Sequence, residues 1–163
     1  MSAAPLARSA APPGVLREPR GAFVTLHIGR ELRGCIGYVD PLRPLLETVE
    51  RSARQAATQD RRFDAVVPEE LGAILIEISV LSLPEACHGP GEIEIGTHGI
   101  LIETRHRRGL LLPQVALDQG WNTTMLLRHT AEKAGLPADA WSAPGVRCSR
   151  FTAEIFREEA HPA

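Results

Sequence analysis

The sequence predicts an α+β domain, with a mixed or antiparallel β-sheet and helices packed mainly on one side of it. Three observations predict this class. Ala22–Ile28 and Ala73–Leu81 carry the period-two patterning of strands. Leu42 to Ala57, and the stretch after Asn122, place apolar residues at helical spacing. The order read along the chain, β-β-α-β-β-β-α-β, lacks the strict alternation of a doubly wound parallel fold.

The first strand, Ala22–Ile28, turns Phe23 and Thr25 one way and Val24, Leu26 and Ile28 the other. Gly29-Arg30 predicts a tight turn into a second strand, Glu31–Tyr38, and hence a hairpin. Asp40-Pro41 then reads as the start of a helix, with Asp as cap and Pro in the first turn. Leu42, Leu45, Leu46, Val49, Ala53, Ala56 and Ala57 form its apolar stripe, opposite Arg43, Glu47, Glu50, Arg51 and Arg54. Pro68 to Leu71 predicts a short helical turn.

In Ala73–Leu81, Ile74, Ile76, Ile78 and Val80 share one face, and Leu75, Glu77, Ser79 and Leu81 the other. Cys87 to Gly99 reads as a loop with a short strand near Ile93. Ile100–Glu103 and Leu110–Leu112 pair as a hairpin across the basic turn Arg105 to Gly109. Asn122 caps a second helix running to about Ala134, with Met125, Leu126 and His129 on one stripe and Gly135 as a left-handed stop. A final strand covers about Arg147 to Phe156. The expected organisation is a tail over residues 1–19, one domain over 20–158, and a short tail over 159–163.

Composition excludes several classes. At 163 residues a single domain buries roughly two-thirds of its unfolded surface and needs no metal or disulfide to fold. Net charge is −2, which gives no electrostatic footprint for bulk nucleic-acid or membrane binding. Lys133 is the only Lys among 18 basic residues. The three cysteines, Cys35, Cys87 and Cys148, do not make a disulfide framework. The Ala/Pro-rich start, Met1 to Pro13, lacks the apolar core of a signal peptide. A cytoplasmic, membrane-free protein is the expectation.

Gly21-Ala22-Phe23-Val24-Thr25-Leu26 and Leu32-Arg33-Gly34-Cys35-Ile36-Gly37 resemble the opening of the AMMECR family. The likeness continues through Asp60-Arg61-Arg62-Phe63, Ile76-Glu77-Ile78-Ser79-Val80-Leu81, Gly96-Thr97-His98-Gly99-Ile100, Leu111-Leu112-Pro113-Gln114-Val115, Lys133-Ala134-Gly135-Leu136-Pro137 and Phe151-Thr152-Ala153-Glu154. The resemblance implies an accessory or binding component of the AmmeMemoRadiSam set. Its partners would be a Memo-like, dioxygenase-family protein and a radical SAM protein, with a role in RNA or protein modification. Two departures stand out. Only Leu6-Ala7-Arg8-Ser9 hints at the N-terminal helix such proteins carry. Ala131 stands where prokaryotic relatives often have Cys, so this protein offers no second thiol there for Cys35.

Among chemical candidates, Cys35 lies between Gly34 and Ile36, with Gly37 next. Glycines there admit a ligand or another backbone. On a regular strand Arg33 and Cys35 share a face, and a guanidinium favours thiolate. The alternative is a small packed thiol. Glu77 and Ser79 sit opposite the isoleucine face. Glu77 is either salt-bridged, to Arg33 or Arg62 for example, or a general base. His98, at a turn, is a possible proton shuttle for Cys35. Arg33, Gly34, Gly37, Arg62 and Ser79 are the candidate substrate or partner contacts. No metal-ligand spacing and no phosphate-loop or dinucleotide motif occurs, so no cofactor is expected. Arg105–Arg108 is a solvated hairpin tip or a nucleic-acid contact.

Overall fold

The structure is a computed structural model and describes residues 14–159. It divides into two compact units, one ending at Ile74 and the other starting at Leu75.

In the first unit, a short helix α1 (Gly14–Arg17) precedes the hairpin of β1 (Ala22–Ile28) and β2 (Glu31–Tyr38), and α2 (Leu45–Thr58) packs on both strands. Residues 14–19 are therefore not free chain. Pro19 bridges to Pro44, and Leu45 donates its N–H to the Glu18 carbonyl at 2.9 Å. The proposed helical remnant at Leu6 to Ser9 lies outside the described residues. The hairpin register pairs Thr25 with Cys35 and Leu26 with Gly34, then slips so that His27 meets Leu32. Arg33 is left as the extra residue of a β-bulge.

Helix α2 starts at Leu45, not at Asp40-Pro41. Pro44 explains the correction. A residue before proline is driven out of the α region, so Arg43 cannot be helical and Pro44 becomes the cap residue. The buried stripe is Leu45, Thr48, Ser52 and Ala56, while Leu42 and Leu46 are exposed. Thr48 is accommodated because its hydroxyl donates to the Pro44 carbonyl at 3.2 Å. Small side chains suit this face because the helix backbone rests on β2. A Cβ built on Gly34 would lie 2.3 Å from the Ala56 carbonyl oxygen. Gly37 is covered instead by its cross-strand neighbour, the Phe23 ring, 2.3 Å from where a Cβ would stand.

The second unit is an antiparallel sheet in the order β3 (Ile74–Leu81), β7 (Arg147–Arg157), β5 (His98–Glu103), β6 (Arg108–Leu111), with β4 (Glu85–Ala86) also paired to β7. Helices α3 (Pro113–Gln119) and α4 (Thr123–Lys133) pack against β5, and α4 also against β6. Antiparallel strands with packed helices in both units make the fold α+β. The core here gathers Ile100, Ile102, Leu111, Leu126, Leu127 and Ala131. Asn122 caps α4 as expected, its side-chain oxygen accepting the Met125 N–H at 2.9 Å, and Gly135 takes φ +73°. The buried stripe of α4 is Leu126, Leu127, Thr130 and Ala131, whereas Met125 is exposed and His129 half-buried.

Two expectations change. Ile93 is buried with extended backbone but forms no strand, because the chain around it runs from a 3₁₀ turn at Pro90–Glu92 into a turn at residues 95–97. Helix α3 was not expected. Its start rests on Pro113 at the first turn and its end on Gly120 at φ +65°, signals overshadowed by the strand before it. In β3 the two faces are those read from the sequence, and the one that is covered is that of Glu77, Ser79 and Leu81. Period two decides which residues share a face, not which face is covered.

Candidate functional site

The Leu32–Gly37 segment is held by a clasp from the turn that follows α2. After Thr58 the chain turns, and Asp60 points its carboxylate back at β2. Asp60 Oδ2 accepts the Cys35 N–H at 2.9 Å. The same carboxylate accepts the Arg62 N–H at 3.1 Å, Nε at 3.0 Å and Nη2 at 2.7 Å. Its side chain is only 6% exposed. The bonds from Arg62 come first in holding the Asp60 carboxyl far below the usual carboxylate range, burial opposes them, and the Cys35 and Arg62 amides add to them. Asp60 is thus an ionised anchor with its acceptor capacity in use.

Arg62 is the outer half of this clasp. Its hydrogen bonds to Asp60 push the guanidinium above its ordinary value; burial opposes, and the charges of Asp60 and Cys35 add to the rise. Asp60 takes Nε and Nη2 and leaves Nη1 outside the pair. The side chain stays 58% exposed, with its guanidinium carbon 5.5 Å from the centre of the Phe63 ring.

Cys35 is half-buried. Its sulfur accepts a hydrogen bond from Thr25 Oγ1 at 3.3 Å, the residue opposite it in the register. The thiol is therefore neither sealed among aliphatic side chains nor fully open. The expectation that Arg33 lies beside it does not hold, because the bulge interrupts the alternation between the two residues. Arg33 turns instead to a second strut. Nε and Nη2 donate to the two Glu70 oxygens at 2.7 and 2.9 Å, and Nη1 to the Asp64 carbonyl at 2.9 Å. Such a two-pronged pair is the strongest geometry a guanidinium offers. It raises Arg33 and lowers Glu70 through their mutual hydrogen bonds. Glu70 also accepts the Val67 N–H at 2.9 Å. Arg33, through Glu70 and the Asp64 carbonyl, and Asp60, through the Cys35 N–H, thus tie the segment between α2 and β3 to the β2 strand.

Glu77, Ser79 and His98 belong to the second unit. Glu77 is paired with Arg157 across the β3–β7 register, Nε to Oε2 at 2.5 Å. Its partner is neither Arg33 nor Arg62, which are bonded to Glu70 and Asp60. Ser79 is 1% exposed, and its hydroxyl has no hydrogen-bond partner among the described residues. His98 Nδ1 accepts the Glu94 N–H at 3.0 Å, and the His98 N–H returns to the Glu94 carbonyl at 2.9 Å. The ring thereby closes the turn into β5, and a neutral imidazole there carries its proton on Nε2. No group of three or more His, Cys, Asp or Glu side chains assembles as a metal site among the described residues. Among them, also, no helix is long and apolar enough to cross a membrane.

The site residue that sequence reasoning missed is Asp60. Its signal was present in the Asp-Arg-Arg-Phe run, where a carboxylate two residues before an arginine can close a local turn. Its bond to Cys35, however, spans a sequence separation of 25 that no local pattern reveals.

The family model for AMMECR1 matches residues 2–156. The chain belongs to the AMMECR1 family. It is 47% identical over 154 residues to Protein MJ0810 of Methanocaldococcus jannaschii, a match covering 90% of this chain and 77% of that protein. A protein of Methanothermobacter thermautotrophicus is 46% identical over 153 residues, covering 90% and 80%. The crystal structure of uncharacterized protein PH0010 from Pyrococcus horikoshii superposes with a TM-score of 0.85 at 41% identity, covering 90% of this chain and 77% of that one. At that identity the likeness extends beyond architecture, and the α+β arrangement described above is the AMMECR1 fold.

Proposed function

We propose that this AMMECR1 domain is an accessory binding module of the AmmeMemoRadiSam set. It engages the Memo-like, dioxygenase-family protein or the radical SAM protein through the surface around Cys35 and Arg62, in the service of RNA or protein modification. The observation that carries this reading is the saturation of the acid beside Cys35. Asp60 accepts four hydrogen bonds and is held ionised. A general base needs a free lone pair and a carboxyl near its working pH, and Asp60 has neither. Arg33 is likewise taken up by Glu70 and the Asp64 carbonyl. What remains for a partner is a half-exposed thiol and the outer edge of the Arg62 guanidinium. Planar guanidinium edges are favoured at interfaces with carboxylates.

A second reading, a Cys35-dependent enzyme, draws on one observation. The Thr25 hydroxyl donates to the sulfur of half-buried Cys35 at 3.3 Å. The two readings separate on paired variants, measured by calorimetric titration against the purified Memo-like and radical SAM proteins. As a binding module, Arg62→Ala weakens association about tenfold, roughly 1.4 kcal/mol, while Cys35→Ser keeps it. As an enzyme, Cys35→Ser keeps association and loses a covalent substrate adduct visible by mass spectrometry in the wild type. Wild-type affinity in Arg62→Ala would remove the binding reading.

A further inference from the structure

A pair of thiols lies in the other unit. The register of β4 on β7 pairs Glu85 with Arg150 and Ala86 with Ser149. One step further, Cys87 meets Cys148, and the Cys87 N–H donates to the Cys148 carbonyl at 3.0 Å. Directly opposed residues of this hydrogen-bonded kind stand about 5.5 Å apart at Cα, within the ~4.4–6.8 Å that a disulfide spans. Their side chains project to the same face. Both line one cavity of about 400 Å³, together with His88, Trp141, Val146 and Arg147.

The Cys87 thiol donates to the Gly89 carbonyl at 3.6 Å. Cys87 and Cys148 are free cysteines. Burial, then the neighbouring Cys87, pushes the Cys148 thiol up to about 12, so Cys148 is a poor first nucleophile at neutral pH. Cys87 is 5% exposed and reaches an incoming molecule through the cavity.

We propose that Cys87 and Cys148 are a cross-strand dithiol that exchanges with low-molecular-weight disulfides entering this cavity, closing reversibly to a disulfide. In the first step the Cys87 sulfur attacks one sulfur of the small disulfide. The Cys87 S–S bond forms, the small molecule's S–S bond breaks, and one small thiol leaves with the Cys87 proton. In the second step the Cys148 sulfur attacks Cys87, the mixed bond breaks, and the second small thiol leaves with the Cys148 proton. The protein dithiol loses two electrons, and the small disulfide gains them as two thiols. A pair facing each other across β4 and β7 resolves the mixed disulfide faster than a lone thiol could, because the second sulfur is already in place.

The test uses the full chain, reduced and then exposed to glutathione disulfide without oxygen, with products read by intact mass and peptide mapping. Wild type is expected to end with a Cys87–Cys148 cross-link and the mass of two hydrogens lost. Cys148→Ser is expected to stop at a glutathione adduct on Cys87. Circular dichroism establishes that the variant is folded, and the wild-type cross-link map stands by itself if it is not. A stable glutathione adduct on wild-type Cys87, or no reaction of either thiol before unfolding by guanidinium, overturns the proposal. So does a cross-link involving Cys35.

Discussion

Replacing Asp60 by Asn probes the clasp with a single atom change. The amide keeps one acceptor oxygen but puts an NH₂ group where the other stood. If the oxygen stays with the Arg62 N–H and Nε, the new NH₂ faces the Cys35 N–H and Arg62 Nη2, which are both donors. The half-buried Cys35 amide then loses its partner, at about 1–3 kcal/mol. Arg62 is 58% exposed, so water takes up its freed donor and the loss there is within about 1 kcal/mol. The sum is about 1–4 kcal/mol. For a chain of this length that lowers the melting temperature by roughly 2–16 °C, read by calorimetry or circular dichroism at pH 7. The pH dependence has a definite sign. Asp60 is depressed in the folded state, so its contribution is fully present above the ordinary Asp value near 4 and is lost progressively as pH falls below it. The gap between wild type and variant narrows in strong acid. A melting temperature unchanged at pH 7, or a gap that widens in acid, would refute the clasp.

Three further predictions test the surrounding structure. Gly34→Ala puts a Cβ 2.3 Å from the Ala56 carbonyl oxygen, so α2 must back away by about 1 Å; overpacking of this kind costs about 1–3 kcal/mol, whereas Gly72→Ala, with open space around it, changes stability by no more than about 1 kcal/mol. Equal melting temperatures for the two variants would dismiss the close helix–strand approach. Glu70→Gln breaks one prong of the Arg33 pair and leaves the backbone between Asp64 and Glu70 exchanging amide hydrogens faster than wild type, without faster exchange in α4; unchanged protection there would mean the strut does not hold the loop. Asn122→Ala removes the α4 cap and lowers stability by about 0.5–2 kcal/mol in denaturant titration, and a loss below that range would show the cap to be idle.

Where structure is decided by near neighbours, the chain announced it. The hairpin of β1 and β2, the Asn122 cap and the Gly135 stop depend on residues a few positions apart, and period and turn chemistry sufficed to place them. The α2 start was misplaced because two prolines competed as first-turn residues, and Pro44 prevailed by excluding Arg43 from the helix. Its buried face was misjudged because Thr48 and Ser52 are polar by type yet small enough to let the helix rest on Gly34. Only the local half of the clasp, Asp60 with Arg62, had a signal in the sequence; its tie to β2 had none. Cys35 and Gly34 stood out as residues, but Asp60 reaches them only after α2 folds back over β2, and the bulge at Arg33 reassigns the neighbouring guanidinium from Arg33 to Arg62. The Cys87–Cys148 pair was hidden in the same way, by a strand pairing between distant segments.

Alkylation of the native protein by iodoacetamide, with and without a purified Memo-like protein, addresses the proposed binding surface itself. Cys35 is expected to be labelled in the free, folded chain and to become protected when the Memo-like protein is added, while circular dichroism stays unchanged. Labelling of Cys35 only after unfolding, or at the same rate with that protein at saturation, would contradict the proposed surface.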